Sequence, residues 1–100
     1  MVTIGVLLTL HLPGVRSLKE KRAIVRSLVE RLRSRRQLSA AEVGLQDRLQ
    51  QAQVGFAVVS GDLATARGVV EDARRFVDRE LLGRAEVVNV EVEEMVLDSD

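Results

Sequence analysis

One hundred residues are enough for one compact hydrophobic core and too few for two. The chain contains no cysteine and a single histidine, His11, which excludes disulfides, thiolate metal centres and sites built from several imidazoles. The formal net charge is zero, yet residues 16–36 carry nine Lys and Arg against two Glu, whereas residues 85–100 carry six acids and no base. This asymmetry suggests a polyanionic partner for the basic end, or self-association between opposite patches.

The first predicted element is a β-strand over Val2–Leu12, in which even-numbered apolar residues alternate with a mixed odd-numbered face. Pro13-Gly14 ends the strand, because proline lacks an N–H group and glycine tolerates a turn. Ser17 stands three residues before Glu20, which is the capping-box pattern of a helix N-terminus. The spacing predicts a first helix from about Leu18 to Ser34.

Two strands are predicted in the middle of the chain. Residues 37–45 form the weaker one, in which Val43-Gly44 predicts a β-bulge, because glycine inside a strand often marks one. Residues 53–60 alternate strongly and predict a central strand.

A second helix and a last strand complete the pattern. Asp62 is a good N-cap for a helix from about Leu63 to Leu82, and Gly83 suits the left-handed position that follows it. The last strand is predicted over Val87–Val96. Its apolar residues are expected on one face: Val88, Val90, Val92 and Val96.

The element order βαβ-βαβ predicts an α+β fold of the ferredoxin-like, split-βαβ kind. Right-handed crossovers place the four antiparallel strands in the order 4-1-3-2, with both helices on one face. Residues 1–100 then form a single domain. Its core is aliphatic, because Phe56 and Phe76 are the only aromatic residues.

Apolar runs such as Val6–Leu8 and Phe56–Val59 are far shorter than the ~20 residues that a membrane span needs. Met1 leads directly into a β pattern without the basic and apolar regions of a signal peptide. We therefore expect a cytoplasmic protein with no membrane partner. Thirteen Arg against two Lys are typical of a GC-rich genome or of a heat-adapted, thermostable protein, and composition does not separate these sources.

The sheet face that no helix covers is predicted to be too apolar for full solvation. An exposed apolar patch on a small domain usually marks an interface, so we expect a homodimer joined through the sheets or along an edge strand. A monomer with scattered exposed apolar side chains is the alternative. The expected interface residues are Leu7, Thr9, His11, Val43, Ala57 and Val59.

The first helix carries most of the positive charge. It predicts a surface for RNA or another polyanion, bound mainly through phosphates, because a sheet that stacks bases needs aromatic side chains on its open face. A solvated helix surface is the alternative. The candidate polyanion-binding residues are Arg16, Lys19, Arg22, Arg26, Arg33, Arg35 and Arg36.

No catalytic residue, metal ligand or cofactor is assigned. His11 would form an acid–base pair if the loops brought it to Glu42 or Asp47. Arg16 lies at a helix N-terminus, where N–H groups attract anions. These two features leave open a small phosphate-ester or acyl hydrolase at the His11–Arg16 loop.

Several segments together resemble the YlxP-like domain-of-unknown-function family of small bacterial proteins, over almost the whole chain. They are HLPG from His11, SLKEKR from Ser17, AEVG from Ala41, Gln46-Asp47, Gln50 and VVS from Val58. The resemblance implies a ferredoxin-like fold and no catalytic residues. It also implies a role with RNA or the ribosome, because members are often encoded beside translation initiation and ribosome maturation factors. The positions that match the family motifs are Ser17, Lys19, Lys21, Arg22, Glu42, Gly44, Asp47 and Gln50.

A structural role is open for two of these positions, because Glu42 and Asp47 would hold the strand–loop corner to the first helix by ion pairs. The leading functional hypothesis is a non-enzymatic, dimeric accessory module that contacts RNA or a ribosomal subunit through the first helix. The alternative is a protein-interaction module that uses the same charge against an acidic protein surface or its own acidic last strand.

Overall fold

The computed structural model describes residues 1–35 and 38–98, and within them the chain forms four strands and two helices. Every predicted element is present, and each end lies within two residues of its expected position. The elements are β1 (Val2–His11), α1 (Leu18–Arg33), β2 (Leu38–Gly44), β3 (Gln51–Ser60), α2 (Leu63–Leu81) and β4 (Glu86–Val96).

The strands form one antiparallel sheet in the order β2-β3-β1-β4, which is the predicted order read from the opposite edge. Helix α1 packs on β2 and β3, and helix α2 packs on β1 and β3. The ferredoxin-like split-βαβ fold is therefore confirmed. Because α1 lies over the β2 side of the sheet, strand β4 forms the edge farthest from it.

The core is aliphatic and follows the predicted periodicities. Even-numbered residues of β1 and β3 are buried against the helices, and Phe56 is the one aromatic side chain among them, at 3% exposure. Helix α1 contributes Val25, Leu28 and Leu32 to this core. Burial of such side chains from water is the main stabilising term of a domain this small.

The helix ends are formed by the residues that the sequence predicts. The Ser17 hydroxyl accepts a hydrogen bond from the backbone N–H of Glu20 at 3.1 Å, and an Asp62 carboxylate oxygen accepts one from Thr65 at 2.8 Å. Gly83 adopts a φ of 81° just after α2, where residues other than glycine are strained. Each cap therefore satisfies one of the N–H groups that the first turn of a helix leaves without an intrahelical partner.

Strand β4 departs from the predicted pattern at one residue. Thr9 pairs with Asn89 and Leu10 pairs with Val87, so Val88 is the extra residue of a β-bulge. The prediction that Val88 shares the core-facing side is wrong, because the bulge leaves it 54% exposed and packs Val87 against the core instead.

Strand β2 contains the bulge that its glycine predicts. The pairing with β3 shifts between Glu42 and Gly44, which leaves Val43 without a direct cross-strand partner. A Cβ atom on Gly55 would lie 3.3 Å from a methyl carbon of Val43, so the valine lies over that glycine on the uncovered face of the sheet. A side chain larger than hydrogen at position 55 would have to displace it.

Candidate nucleic-acid interface

The most deeply buried charged group of α1 is Lys21, which is only 1% exposed. Its ammonium nitrogen donates hydrogen bonds to the carbonyl oxygens of Leu45 and Arg48, each at 2.6 Å, and to that of Gln46 at 3.4 Å. These carbonyls belong to the segment that joins β2 to β3, residues 45–50, which we call the 45–50 loop. Lys21 therefore fixes the loop against α1.

The pKa of Lys21 is lowered mainly by burial, which disfavours the charged form. The carboxylates of Glu42 and Asp47 act in the opposite direction, and the Arg22 guanidinium acts in the same direction as burial. Within residues 1–35 and 38–98, however, neither carboxylate makes an ion pair within 4 Å. The predicted ion pairs at this corner are therefore replaced by bonds from Lys21 to backbone carbonyls.

Another motif residue, Gln50, ties the same loop to the start of α1. Its side-chain amide donates to the carbonyl oxygens of Pro13 at 3.3 Å and Val15 at 3.1 Å. The backbone carbonyl of Gln50 accepts a hydrogen bond from the backbone N–H of Leu12 at 2.9 Å. Together with the Ser17 cap, these bonds show that three of the family-motif positions, Ser17, Lys21 and Gln50, build one corner of the fold.

The outward face of α1 retains exposed bases. In the described part of the chain, the side chains of Arg16, Lys19, Arg22 and Arg26 make no hydrogen bond or ion pair. We call Arg16, Lys19, Arg22 and Arg26 the basic face.

Two other predicted polyanion-binding residues have partners within the protein. Arg33 donates from Nε to the carbonyl oxygen of Ala40 at 2.7 Å, and the Arg35 guanidinium lies 4.5 Å from the centre of the Phe76 ring. Arg36 lies outside the described residues. The structure therefore separates the basic face from the bases near the C-terminal end of α1.

A polar pocket of about 470 Å³ lies between α1 and the 45–50 loop. Buried Val25 and Val29 form apolar parts of its lining, and the rest is polar and charged. We call it the α1–loop pocket. Its lining residues are Arg22, Val25, Arg26, Val29, Glu42, Gln46 and Asp47.

The acids of β4 do not neutralise the basic face. Glu94 accepts two hydrogen bonds from the Arg67 guanidinium of α2, at 2.7 and 2.8 Å, and these bonds lower the pKa of Glu94 and raise that of Arg67. Because β4 and α1 lie at opposite edges of the sheet, the charge asymmetry of the sequence is also an asymmetry of the folded domain.

His11 does not form the predicted acid–base pair with Glu42 or Asp47. Glu42 pairs with Val54 on the helix-covered side of the sheet, whereas His11 pairs with Gln51 on the uncovered side. The nearest acid is instead Glu86, whose Oε1 lies 3.3 Å from Nδ1 of His11 in an exposed pair. The acid–base arrangement proposed for His11 is therefore absent from the described residues.

The uncovered face of the sheet contains a shallow depression of about 740 Å³. Its centre is lined by small residues, because Ser39, Ala57 and Gly5 lie side by side across three strands. Val43 and Val59, both predicted interface residues, rise beside it at 55% and 57% exposure. The others, Leu7, Thr9, His11 and Ala57, lie on the same face and are partly buried.

Two features are absent from residues 1–35 and 38–98. Neither helix is long and apolar enough to cross a bilayer. No three histidine, aspartate or glutamate side chains in these ranges converge as they would around a metal ion.

Comparison with known proteins agrees with the motif residues described above. A model of the family described as "Protein of unknown function (DUF503)" matches residues 4–92. The chain belongs to the DUF503 family. Uncharacterized protein YlxP of Bacillus subtilis (strain 168) is 32% identical over 62 residues, which are 62% of this chain and 67% of that protein. The resemblance predicted from the sequence is confirmed.

Solved structures similar to this DUF503 chain share its fold at low sequence identity. The structural-genomics protein YJCS has a TM-score of 0.65 at 10% identity, over 91% of this chain and 96% of its own. Rv0793 from Mycobacterium tuberculosis has a TM-score of 0.57 at 14% identity, over 98% and 97%. A de novo designed protein, Foldit4, has a TM-score of 0.56 at 14% identity, over 98% and 100%. These similarities concern the fold alone.

The sequence predicts the exposed bases of this candidate interface but not the pocket beside them. The sequence predicts Glu42 and Asp47 as motif residues, as possible partners of His11 and as ion-pair residues against the first helix. It does not predict that they line a pocket together with Arg22 and Arg26. The burial of Lys21 was detectable, because position 21 continues the helical stripe that Val25 and later apolar residues form.

Proposed function

We propose that this DUF503 chain is a non-enzymatic accessory module that binds RNA, in translation or ribosome maturation, through the basic face of α1. The observation that carries the proposal is that these four bases are exposed and unpaired within the described ranges 1–35 and 38–98. The acids of β4 lie at the far edge of the sheet, so the basic face is left to attract an external polyanion.

The proposed contact is to phosphates rather than to stacked bases. Phe56 is buried in the core, and Phe76 packs under the Arg35 guanidinium, so neither ring offers a stacking platform on the uncovered sheet face. Four phosphate contacts would make the logarithm of the binding constant fall with the logarithm of salt concentration at a slope of roughly −3.

The test measures binding to single-stranded RNA by fluorescence anisotropy, and binding to small ribosomal subunits by co-sedimentation, over a series of salt concentrations. Arg22→Glu with Arg26→Glu is expected to abolish binding. The matched control is Arg75→Glu with Arg79→Glu, which makes the same charge change at the same spacing on α2. This control is expected to bind like the parent.

Circular dichroism of both double variants verifies that they are folded. The proposal is overturned if Arg22→Glu with Arg26→Glu binds as well as the parent. Equal loss of binding in both double variants would also overturn it, because it would show that total charge matters and the basic face does not.

We also propose that two copies pair through the uncovered face of the sheet. Exposed Val43 and Val59 beside a depression of small residues give this face the apolar character of an interface. Analytical ultracentrifugation is expected to show a species of twice the 11.1 kDa chain mass. Val43→Lys with Val59→Lys is expected to yield monomers, whereas Leu82→Lys, at the end of α2 and 83% exposed, is expected to leave the dimer intact.

The competing function is a module that uses the basic face against an acidic protein surface and has no nucleic-acid ligand. It is favoured by the acidic β4 edge of the chain itself, which could contact the basic face of another copy head to tail. Such contacts do not close, so assembly size would grow with protein concentration. Ribonuclease treatment separates the two functions, because it removes only an RNA-dependent association.

A further inference from the structure

We infer that the α1–loop pocket binds one unpaired nucleotide of the RNA, with a preference for guanosine. The inference deepens the proposed function and rests on it. It starts from the unusual composition of this pocket, in which two guanidinium groups and two carboxylates line the same cavity without forming ion pairs within the described residues.

The charged groups of the pocket are complementary to a ligand that is both an anion and an N–H donor. Arg22 and Arg26 can donate to a phosphate group, whereas Glu42 and Asp47 can only accept hydrogen bonds when ionised. A bare phosphate would be repelled by the two carboxylates. A nucleotide satisfies both requirements, because its phosphate and its base edge lie at opposite ends.

Guanine fits the carboxylates best among the four bases. Its Watson–Crick edge presents N1–H and an exocyclic N2 amino group side by side, so a single carboxylate of Glu42 or Asp47 can accept two parallel hydrogen bonds. Adenine and cytosine present an amino group beside an acceptor, and uracil presents one N–H between two acceptors. The apolar surfaces of Val25 and Val29 provide contact for the face of the base.

The size and support of the pocket agree with such a ligand. Its volume of about 470 Å³ lies within the range of about 300–1,000 Å³ typical of small-molecule sites. The loop that carries Gln46 and Asp47 is held by the Lys21 ammonium and by a turn in which Arg48 N–H donates to the Leu45 carbonyl at 3.0 Å. The loop backbone is therefore organised before the ligand arrives, which reduces the entropy cost of binding.

Three other depressions of the described surface carry a different set of charges. The depression on the uncovered sheet face contains Glu91 and Glu93 and no base in its lining, which disfavours phosphate. The cavity near Gly83 has one guanidinium, Arg84, with Glu20 and Glu86, and a smaller cavity between α2 and β4 has one of each sign, Arg74 and Asp78. The α1–loop pocket has two guanidinium groups, and both belong to the basic face, so a phosphate contact there can extend to a base.

The test compares short RNAs of equal length that differ only in one central nucleotide: guanosine, inosine, adenosine, cytidine or uridine. We expect the parent protein to bind the guanosine RNA about tenfold more tightly than the adenosine RNA, since one well-placed bidentate pair discriminates by that order. Inosine, which lacks the N2 amino group, is expected to be intermediate.

Asp47→Asn and Glu42→Gln, singly and together, separate base recognition from phosphate binding. The double variant is expected to lose the guanosine preference while retaining salt-dependent affinity, because the basic face is intact. Glu91→Gln with Glu93→Gln, which removes two charges from the uncovered sheet face, is the matched control and is expected to retain the preference. If Glu42→Gln unfolds the corner around Lys21, the single Asp47→Asn variant decides the outcome.

The inference is overturned if the parent binds all five RNAs equally, or if the preference survives in the double variant. Either result can occur while Arg22→Glu with Arg26→Glu still abolishes binding, in which case RNA binding stands and only base recognition fails. Failure of the proposed function shows instead as no RNA binding by the parent, or as an affinity that Arg22→Glu with Arg26→Glu leaves unchanged.

Discussion

The ammonium nitrogen of Lys21 lies 2.6 Å from the carbonyl oxygen of Arg48, a residue 27 positions later in the chain. This bond and its counterpart to Leu45 join the first turn of α1 to the connection between β2 and β3. Leu45 has a φ of 56°, a conformation uncommon for residues other than glycine, and it turns its carbonyl within reach of the ammonium. The corner beside the basic face therefore depends on one buried cation.

Replacement of Lys21 by methionine is expected to destabilise the protein strongly. Methionine retains most of the apolar stem but removes the donor of two short hydrogen bonds. The Arg48 carbonyl then loses its bond from the ammonium, and the Leu45 carbonyl keeps only its bond from the Arg48 N–H. We expect the free energy of unfolding, measured by urea denaturation, to fall by about 2–3 kcal/mol. Lys19→Met, on the exposed side of the same helix turn, is expected to change it by less than about 0.5 kcal/mol. Equal effects of the two substitutions would contradict this role.

The pH dependence of stability should also report on Lys21. Because burial lowers its pKa below the ordinary 10.5, the unfolded chain binds more protons than the folded one between these two pKa values. The contribution of Lys21 to stability therefore rises with pH through that window and is constant above it. The chain has no tyrosine or cysteine and only one other lysine, so few other groups titrate there.

The measurement is the difference in unfolding free energy between the parent and Lys21→Met at a series of pH values from neutral to above 10.5. The difference is expected to widen as the pH rises. A difference that stays flat or narrows would show that the folded state does not lower the pKa of this ammonium.

Acid is expected to weaken the start of α2. The backbone N–H and the hydroxyl of Thr65 hold the pKa of Asp62 below its ordinary 3.8, so the stabilisation by this carboxylate is present above 3.8 and lost as the pH falls through the lower folded value. Asp62→Ala should lower the thermal midpoint at neutral pH. Asp62→Asn should lower it less, because asparagine also caps helices.

The asparagine variant provides the control for the pH effect, since its side chain does not titrate. Calorimetric scans of the parent and of Asp62→Asn are expected to converge as the pH falls below 3.8. Parallel curves for the two proteins in acid would contradict the assignment of this pH dependence to Asp62.

The β2 bulge predicts an interaction between Gly44 and Gln53. A Cβ atom on Gly44 would overlap Oε1 of Gln53, so the side-chain amide must move. Its Nε2 then gives up the hydrogen bond that it donates to the Thr9 hydroxyl at 3.3 Å. Gly44→Ala is expected to cost about 1 kcal/mol in the parent. In a Gln53→Ala background it should instead be neutral or stabilise by about 0.5 kcal/mol, because alanine reduces the entropy of the unfolded chain.

Urea denaturation of the four proteins forms a double-mutant cycle. We expect a coupling of about 1 kcal/mol between the two positions, as is usual for residues in contact. Additive effects would mean that Gly44 is required for a reason unrelated to Gln53.

The local patterns of the chain predict the elements and the sheet order well, but not the β4 bulge. The alternation of β1 and the caps at Ser17 and Asp62 depend on neighbours in sequence, and the structure contains them as expected. The bulge depends on how Val87 and Val88 align with β1. Both residues are valines that favour strands, so nothing in the sequence indicates which of them faces the core.

The candidate nucleic-acid interface on α1 also has features that the sequence predicts and features that it does not. The helical period alone places Arg22 and Arg26 on the outer side of α1. The partners of Arg33 and Arg35 are a carbonyl of β2 and a ring of α2, and such contacts arise only when separate elements pack. The α1–loop pocket likewise requires residues 22 and 47 to approach across the chain, which no local spacing specifies.

Helix α1 and strand β4 lie at opposite edges, so a molecule of zero formal net charge has a preferred orientation in an electric field. The two edge strands are three strand spacings apart, about 14 Å, and this exceeds the screening length of about 8 Å at physiological ionic strength. A phosphate-rich surface nearby therefore acts mainly on the closer edge. The resulting torque would turn the arginines of α1 toward that surface and the glutamates of β4 away from it before any contact forms. Collisions would then begin in the productive orientation.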